Sequence, residues 1–176
     1  MIDFSHDHYA LFDLPRRFKI DQALLEERYR ALQAGVHPDR HTSKDAAGRR
    51  LALQASSRVN EAYATLRDPA ARGEYLLGLS GIESLAETDT AMPPEFLIEQ
   101  MERREAIAEA GSDGNHAALE RALTEIEGER KALVAELADA IDDRAALGEA
   151  KTAVRKLRFL DRVKSEITDL LIAIEA

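Results

Sequence analysis

The stretch Val36-His37-Pro38-Asp39-Arg40-His41 separates two long amphipathic segments, and it decides how the first half of the sequence folds. Proline cannot continue a helix, and it biases the residue before it away from helical geometry. One helix is therefore expected to end near Val36, where an exposed turn begins. Because the turn carries His37, Asp39, Arg40 and His41, we interpret it as a contact surface rather than a simple connector.

The segments on either side of this turn both have the period of an amphipathic helix. Upstream, Asp21 is a candidate N-cap for a helix that runs to Val36. Small residues in the downstream stripe favour close antiparallel packing, which predicts a helical hairpin with the turn at its tip. The two apolar stripes are Leu25, Tyr29, Leu32 and Val36, and then Ala52, Ala55, Ser56, Val59, Tyr63 and Leu66.

Shorter segments flank the predicted hairpin. An apolar cluster over residues 9–14 is closed by Pro15, which predicts a brief helix of about two turns. The pair Asp68-Pro69 is a helix-start signal, and a short apolar segment follows it until Gly78 and Gly81 interrupt the pattern. Residues 80–94 then have no helical period and are interrupted by Gly81, Pro93 and Pro94 and by serines and threonines, so they are predicted to form a linker.

The C-terminal half predicts three more helices, over residues 95–110, 115 to about 141 and 144 to about 175. The predicted breaks are Gly111-Ser112-Asp113-Gly114 and Asp142-Asp143. The middle helix has a nearly seven-residue apolar repeat in which Arg130 fills one step. Short connections favour an antiparallel three-helix bundle. The expected fold is therefore all-α, with domains at 1–79 and 95–176 and the linker at 80–94.

Composition excludes several classes of function. The chain of 176 residues is 45% hydrophobic and 32% charged, which is typical of a globular protein. Its formal net charge of -9 argues against nucleic-acid binding through a broad basic face. The absence of cysteine excludes disulfides and thiolate metal sites. The sequence also lacks a signal peptide and a membrane-spanning run, so we expect no membrane partner and a cytoplasmic location.

A metal-dependent hydrolase is a rival interpretation of the turn, because His37, Asp39 and His41 are potential ligands at alternate positions. Such residues converge on one ion only in an extended segment, and no further ligand cluster is evident to complete a site. The sequence also lacks a glycine-rich phosphate loop and a nucleophile motif. We therefore expect no catalytic residues, no metal and no cofactor.

The order of these segments resembles the J-domain of DnaJ-type co-chaperones. The features that carry the resemblance are the short aromatic helix closed by proline, the His37-Pro38-Asp39 turn, and a following helix with Asn60-Glu61-Ala62-Tyr63 before Asp68-Pro69. Residues 9–15, 74–77, 96–102 and 154–161 further resemble the HscB family of iron-sulfur cluster assembly co-chaperones, so the likeness spans nearly the whole chain. The segment Val154-Arg155-Lys156-Leu157-Arg158-Phe159-Leu160-Asp161 is the most specific to that family.

The resemblance implies that the turn docks on the ATPase domain of HscA, a DnaK-class chaperone, and stimulates ATP hydrolysis. His37, Pro38 and Asp39 inherit that role, with Asp39 engaging a partner arginine through charge-assisted hydrogen bonds. The positive charge of the preceding helix would come from Arg28 and Arg30, and past the tip from Arg40. Because Glu26 and Glu27 lie among these arginines, electrostatic steering is expected to be weak. The alternative is a structural turn with an incidental proline.

The resemblance also implies that the C-terminal domain binds the iron-sulfur scaffold protein IscU. On a helical projection, apolar residues of the segment from Phe96 extend well beyond one core stripe, and acidic residues border them. An aromatic residue of the last helix also lies off its stripe. Packing between the domains is the structural alternative, and a generic DnaJ-type adaptor for another client is the functional one. The implied scaffold-binding residues are Leu97, Ile98, Met101, Glu102, Glu105 and Phe159.

Overall fold

The computed structural model of the chain describes Asp3 and residues 5–36, 46–82 and 92–175. All regular structure in these ranges is helical, which confirms the expected all-α class. The predicted tip, His37-Pro38-Asp39-Arg40, and most of the predicted linker lie outside the described residues. The elements are α1 (His8–Leu11), α2 (Gln22–Val36), α3 (Ala46–Arg67), α4 (Pro69–Leu79), α5 (Pro94–Ser112), α6 (His116–Ala138), a π-helical turn (Asp139–Asp143) and α7 (Leu147–Glu175).

The chain divides into two compact units, Met1–Leu76 and Leu77–Ala176. The division falls within α4, a few residues before the predicted linker at 80–94. Because residues 83–91 are outside the described ranges, the linker and the domain limits 1–79 and 95–176 stay predictions.

The first unit contains the predicted hairpin. Helices α2 and α3 are antiparallel, because Glu26 near the start of α2 contacts Tyr63, and Gln33 near its end contacts Asn60. The buried side of α3 consists of Ala52, Ala55, Val59, Ala62 and Leu66, so Ala62 takes the core position that the sequence suggested for Tyr63. The large core side chains beneath the hairpin are Tyr9, Phe12, Phe18, Leu25 and Leu66.

Side-chain caps fix where α2 and α4 begin. Asp21 is the predicted N-cap, and its Oδ1 accepts hydrogen bonds from the N–H groups of Ala23 at 2.9 Å and Leu24 at 3.1 Å. Asp68 caps α4 in the same way by accepting from Ala71 at 2.7 Å. The prediction that Gly78 interrupts the following segment is wrong, since α4 continues through it to Leu79. The chain leaves the helix at Gly81, whose φ of 77° favours glycine.

The second unit is a three-helix bundle. Helices α6 and α7 are antiparallel, since Arg130 pairs with Asp161 at 2.6 Å and Lys164 with Glu127 at 2.7 Å. Helices α5 and α7 run in the same direction, because Phe96 contacts Phe159 and Arg104 contacts Glu166. The Arg130–Asp161 pair explains how an arginine occupies the apolar repeat of α6: both side chains are mostly buried and neutralise each other.

The predicted breaks in this unit need correction. Helix α5 continues through Gly111 and Ser112, where the sequence predicted a turn. A Cβ at Gly111 would lie 3.1 Å from a methyl group of Leu170, so this glycine permits a close approach of α7 rather than ending α5. At the other end of the bundle, α6 gives way to the π-helical turn at Asp139, and α7 begins at Leu147 rather than at Arg144.

Candidate functional sites

The structure describes the two helices that precede and follow the predicted tip in the sequence. Helix α2 ends at Val36 and α3 begins at Ala46, and the antiparallel packing places these two residues at the same end of the hairpin. His37, Pro38, Asp39 and Arg40 connect them but are outside the described residues. Their role as chaperone contacts therefore stays a prediction.

A polar seam of Glu26, Tyr29, Gln33, Asn60 and Tyr63 joins two turns of α2 to the C-terminal half of α3. The rings of Tyr29 and Tyr63 stack with their centroids 3.9 Å apart. Tyr29 donates a hydrogen bond to Asn60 Oδ1 at 3.1 Å, and the Gln33 amide donates to the same oxygen. Tyr63 donates its hydroxyl to Glu26. This seam fixes the register of the hairpin from which the tip extends.

The two arginines predicted on α2 have different surroundings. The Arg28 guanidinium donates to the carbonyl of Phe12 at 2.6 Å and pairs with the carboxylate of Asp13 at 3.0 Å. Arg28 therefore ties α2 to the turn after α1. Arg30 instead pairs with Glu26 one helical turn earlier, with 2.8 Å between Nη2 and Oε1. The hydrogen bond from Tyr63, and then that from Arg30, hold the pKa of Glu26 below its usual value.

On α5, three large apolar residues face solvent. The exposed fractions are 42% for Leu97, 58% for Ile98 and 65% for Met101. They are exposed because the buried side of α5 is formed by Gln100, Ile107 and Ala110, and a helix turns about 100° per residue. Glu102 and Glu105 are exposed on the same helix. We call these five residues the α5 face.

Phe159 of α7 packs beside α5. Its ring meets Phe96 edge to face with the centroids 5.7 Å apart, so Phe159 is half-buried rather than fully exposed. The guanidinium of Arg104 lies 5.7 Å from the Phe159 ring, and Lys156 Nζ lies 5.5 Å from the Phe96 ring. The structure thus joins α5 to Phe159 through Phe96 and Arg104.

Sequence reasoning missed both of these cations. Arg104 lies eight residues after Phe96, and this spacing places the two on neighbouring parts of one helix face. Lys156 precedes Phe159 by three residues, which also places those two on one side of a helix. The signal was therefore present in the sequence, but the pairing across α5 and α7 depends on the packing of the bundle.

No arrangement for metal chemistry or membrane insertion occurs in residues 5–36, 46–82 and 92–175. Within these ranges, no group of three histidine, aspartate or glutamate side chains is placed to hold a metal ion. The described helices also include none that is long and apolar enough to cross a membrane. The candidate ligands His37, Asp39 and His41 lie outside these ranges, so the structure does not test the metal interpretation.

Known proteins match both units. Residues 7–75 match the family model of the DnaJ domain, and residues 92–168 match that of the HSCB C-terminal oligomerisation domain. A co-chaperone protein HscB homolog of Azoarcus sp. (strain BH72) is 42% identical over 174 residues, covering 99% of this chain and 98% of the relative. The homolog of the same name from Burkholderia mallei (strain SAVP1) is 46% identical over 95% of both chains.

Solved structures agree with these matches. The chaperone HscB from Vibrio cholerae superposes with a TM-score of 0.85 at 33% identity, covering 96% of this chain and 99% of the other. The crystal structure of the human co-chaperone protein HscB gives a TM-score of 0.86 at 35% identity, covering 95% of this chain and 83% of the other. Since both likenesses span nearly all of this chain, they include both of its compact units.

Proposed function

The chain belongs to the HscB family of co-chaperones, and from this membership we propose that it binds the iron-sulfur scaffold protein IscU and stimulates the ATPase of the DnaK-class chaperone HscA. Cluster assembly and transfer then follow from the cycle of the chaperone. The chain itself acts as an adaptor and regulator, with no catalytic residues of its own. A cytoplasmic location is part of the same proposal.

The client assignment is supported mainly by the exposed apolar side chains of the α5 face. Three exposed large apolar side chains, Leu97, Ile98 and Met101, lie within five residues of one helix. An apolar patch bordered by charged residues is the usual composition of a protein-binding surface. Glu102 and Glu105 supply that border, and Phe159 supplies an aromatic anchor whose position is fixed by Phe96. We propose that these residues bind IscU.

The J-domain supports the other half of the proposal. Its polar seam joins α2 to α3, the two helices between which His37-Pro38-Asp39 lies in the sequence. An aspartate held beyond a proline can form charge-assisted hydrogen bonds with an arginine of the chaperone. We propose His37, Pro38 and Asp39 as the principal contacts and Arg40 as an additional one. Arg28 contributes through the packing of α2 against the turn after α1, and Arg30 lies exposed at the surface, where it pairs with Glu26.

Titration of purified IscU tests the client assignment. We expect the triple variant Leu97→Ala, Met101→Ala, Phe159→Ala to bind IscU at least about 100-fold more weakly, because truncation of two or three anchors removes several kcal/mol of binding energy. A matched control is Leu51→Ala, Leu53→Ala, since these two leucines of α3 are also exposed. Equal binding by the triple variant and wild type contradicts the assignment, and no binding of IscU by wild type favours a DnaJ-type adaptor for another client.

A single substitution tests the chaperone assignment. Asp39→Asn keeps the size of the side chain but removes the charge that would pair with an arginine. We expect the steady-state stimulation of HscA to be lost, while circular dichroism shows unchanged helix content. Stimulation at the wild-type level contradicts a docking role for Asp39, and loss of helix content favours the structural-turn interpretation.

A further inference from the structure

Helix α2 offers few cations for a partner, because both of its arginines already have partners within the same unit. The helix contains two arginines, Arg28 and Arg30. Arg28 is committed to the backbone of Phe12 and the carboxylate of Asp13, so it helps to hold the fold together. Arg30 is the arginine of α2 that extends into solvent, with 75% of its side chain exposed. Any attraction between α2 and an acidic partner therefore depends chiefly on Arg30.

Arg30 already has a carboxylate partner on its own helix. Its Nε donates to Glu26 Oε1 at 2.9 Å, and its Nη2 approaches the same oxygen at 2.8 Å. The second carboxylate oxygen of Glu26 accepts the hydroxyl of Tyr63 from α3. Glu26 is thus held from two sides, and its lowered pKa keeps it ionised at neutral pH. A partner that recruits Arg30 has to compete with this fixed carboxylate.

We propose that Glu26 is a specificity-determining residue of the J-domain, which weakens docking by holding Arg30 as an internal counter-ion. The inference rests on the proposed function, in which the partner is the ATPase domain of a DnaK-class chaperone, and it adds that this partner presents an acidic side chain to Arg30. Docking then depends mainly on the tip and less on charge steering. A chaperone whose docking surface relies on acidic residues alone is bound poorly.

Glu27 provides a matched comparison. It is the next residue along α2 and is exposed, about 100° around the helix from Glu26. Glu26→Gln and Glu27→Gln remove the same charge at nearly the same place, but only the first removes the ionised partner of Arg30. If only the net charge matters, the two variants should bind the chaperone with equal affinity. If the Glu26–Arg30 pair matters, only Glu26→Gln should bind more tightly, because only this variant frees Arg30 from its carboxylate partner.

The experiment measures the affinity of each full-length variant for purified HscA and the resulting ATPase stimulation, at about 50 mM and about 300 mM salt. Because exposed ion pairs contribute little individually, we expect Glu26→Gln to bind about threefold more tightly than Glu27→Gln at the lower salt concentration. The difference should shrink at the higher salt concentration, since screening weakens the contact that Arg30 gains. Adding Arg30→Ala to Glu26→Gln should abolish the gain.

Three results would overturn the inference while leaving the proposed function intact. They are equal affinities of Glu26→Gln and Glu27→Gln, weaker binding by Glu26→Gln, and a gain that persists when Arg30 is replaced. Circular dichroism and thermal unfolding of each variant show whether loss of the Tyr63 contact has altered the hairpin. Failure of wild type to stimulate HscA is a different result, because it overturns the proposed function and this inference together.

Discussion

The two arginines of α2 show how position decides what a charged side chain does. Arg28 and Arg30 are two residues apart, so they point in directions about 200° apart on the helix. One is directed towards the carbonyl groups after α1, and the other reaches back to Glu26 on the surface. Sequence reasoning treated them together as the positive charge of this helix, because charge can be counted from a sequence but the direction of a long side chain depends on its neighbours.

A buried histidine leads to a prediction at the same scale. His8 is 4% exposed and stacks on Tyr75 with the ring centroids 4.2 Å apart. Burial, and then the charge of Arg58, lower the pKa of His8, while Glu61 and Asp7 act in the opposite direction. The unfolded chain has a histidine pKa of about 6.5, so it takes up a proton before the folded chain does as the pH falls. The contribution of neutral His8 to the free energy of unfolding is therefore fully present above about pH 6.5. It is lost as the pH falls towards the pKa of His8 in the folded chain.

We expect the urea midpoint of the J-domain to fall more for wild type than for His8→Phe when the pH is lowered from about 7.5 to about 5.5. Phenylalanine keeps an aromatic ring against Tyr75 but cannot take up a proton. His6→Phe is the control for the loss of a histidine, since His6 lies in the same unit and is half-exposed. The same pH dependence in His8→Phe and wild type would show that His8 is not responsible.

At the scale of elements, apolar periodicity predicted most of the helices. Spacings of three and four residues located α2, α3 and the three bundle helices, because burial of one side is what stabilises each of them. The helix ends were less predictable. Gly78 and Gly111 suggested breaks, yet both lie inside helices, where the packing of neighbouring turns outweighs the preference of a single glycine. The π-helical turn at 139–143 has no sequence pattern that distinguishes it from the end of α6.

The candidate surfaces were predictable to different degrees. The exposure of Leu97, Ile98 and Met101 follows from their distance from the core stripe of α5, and the structure has all three exposed. The half-buried state of Phe159 did not follow, because it depends on Phe96 from a helix more than fifty residues earlier. Contacts between elements distant in sequence require the packed bundle, which periodicity within one helix does not supply.

Glycines inside helices give a prediction at this scale. Gly128 is in the middle of α6, and a Cβ there would meet nothing within 4 Å. We expect Gly128→Ala to raise the free energy of unfolding by about 0.5–1 kcal/mol, because alanine loses less backbone entropy on folding. Gly111→Ala is the matched change in α5, and it should gain less or lose stability because the new methyl group meets Leu170 at 3.1 Å. Urea unfolding followed by circular dichroism measures both, and an equal gain would contradict the close packing at Gly111.

At the scale of the whole molecule, the two proposed binding surfaces belong to different compact units. The α5 face and Phe159 lie in the second unit, whereas the polar seam and the helices flanking the tip lie in the first. Neither surface needs the other in order to form, since each is built from contacts within its own unit. Under the proposed function, joining them in one chain raises the effective concentration at which bound IscU meets HscA.

This reasoning predicts that two defective variants do not rescue each other. Asp39→Asn retains the proposed IscU surface, and the Leu97, Met101 and Phe159 triple alanine variant retains the proposed chaperone contacts at the tip. Because the proposal requires both surfaces on one chain, an equimolar mixture should give no more IscU-dependent stimulation of HscA than the better variant alone. Wild type at half the total concentration is the positive control. Recovery in the mixture would show instead that one chain presents IscU while another engages HscA. An oligomer joined through the C-terminal domain would behave in this way. The dependence of the recovery on protein concentration would then show how readily that oligomer forms.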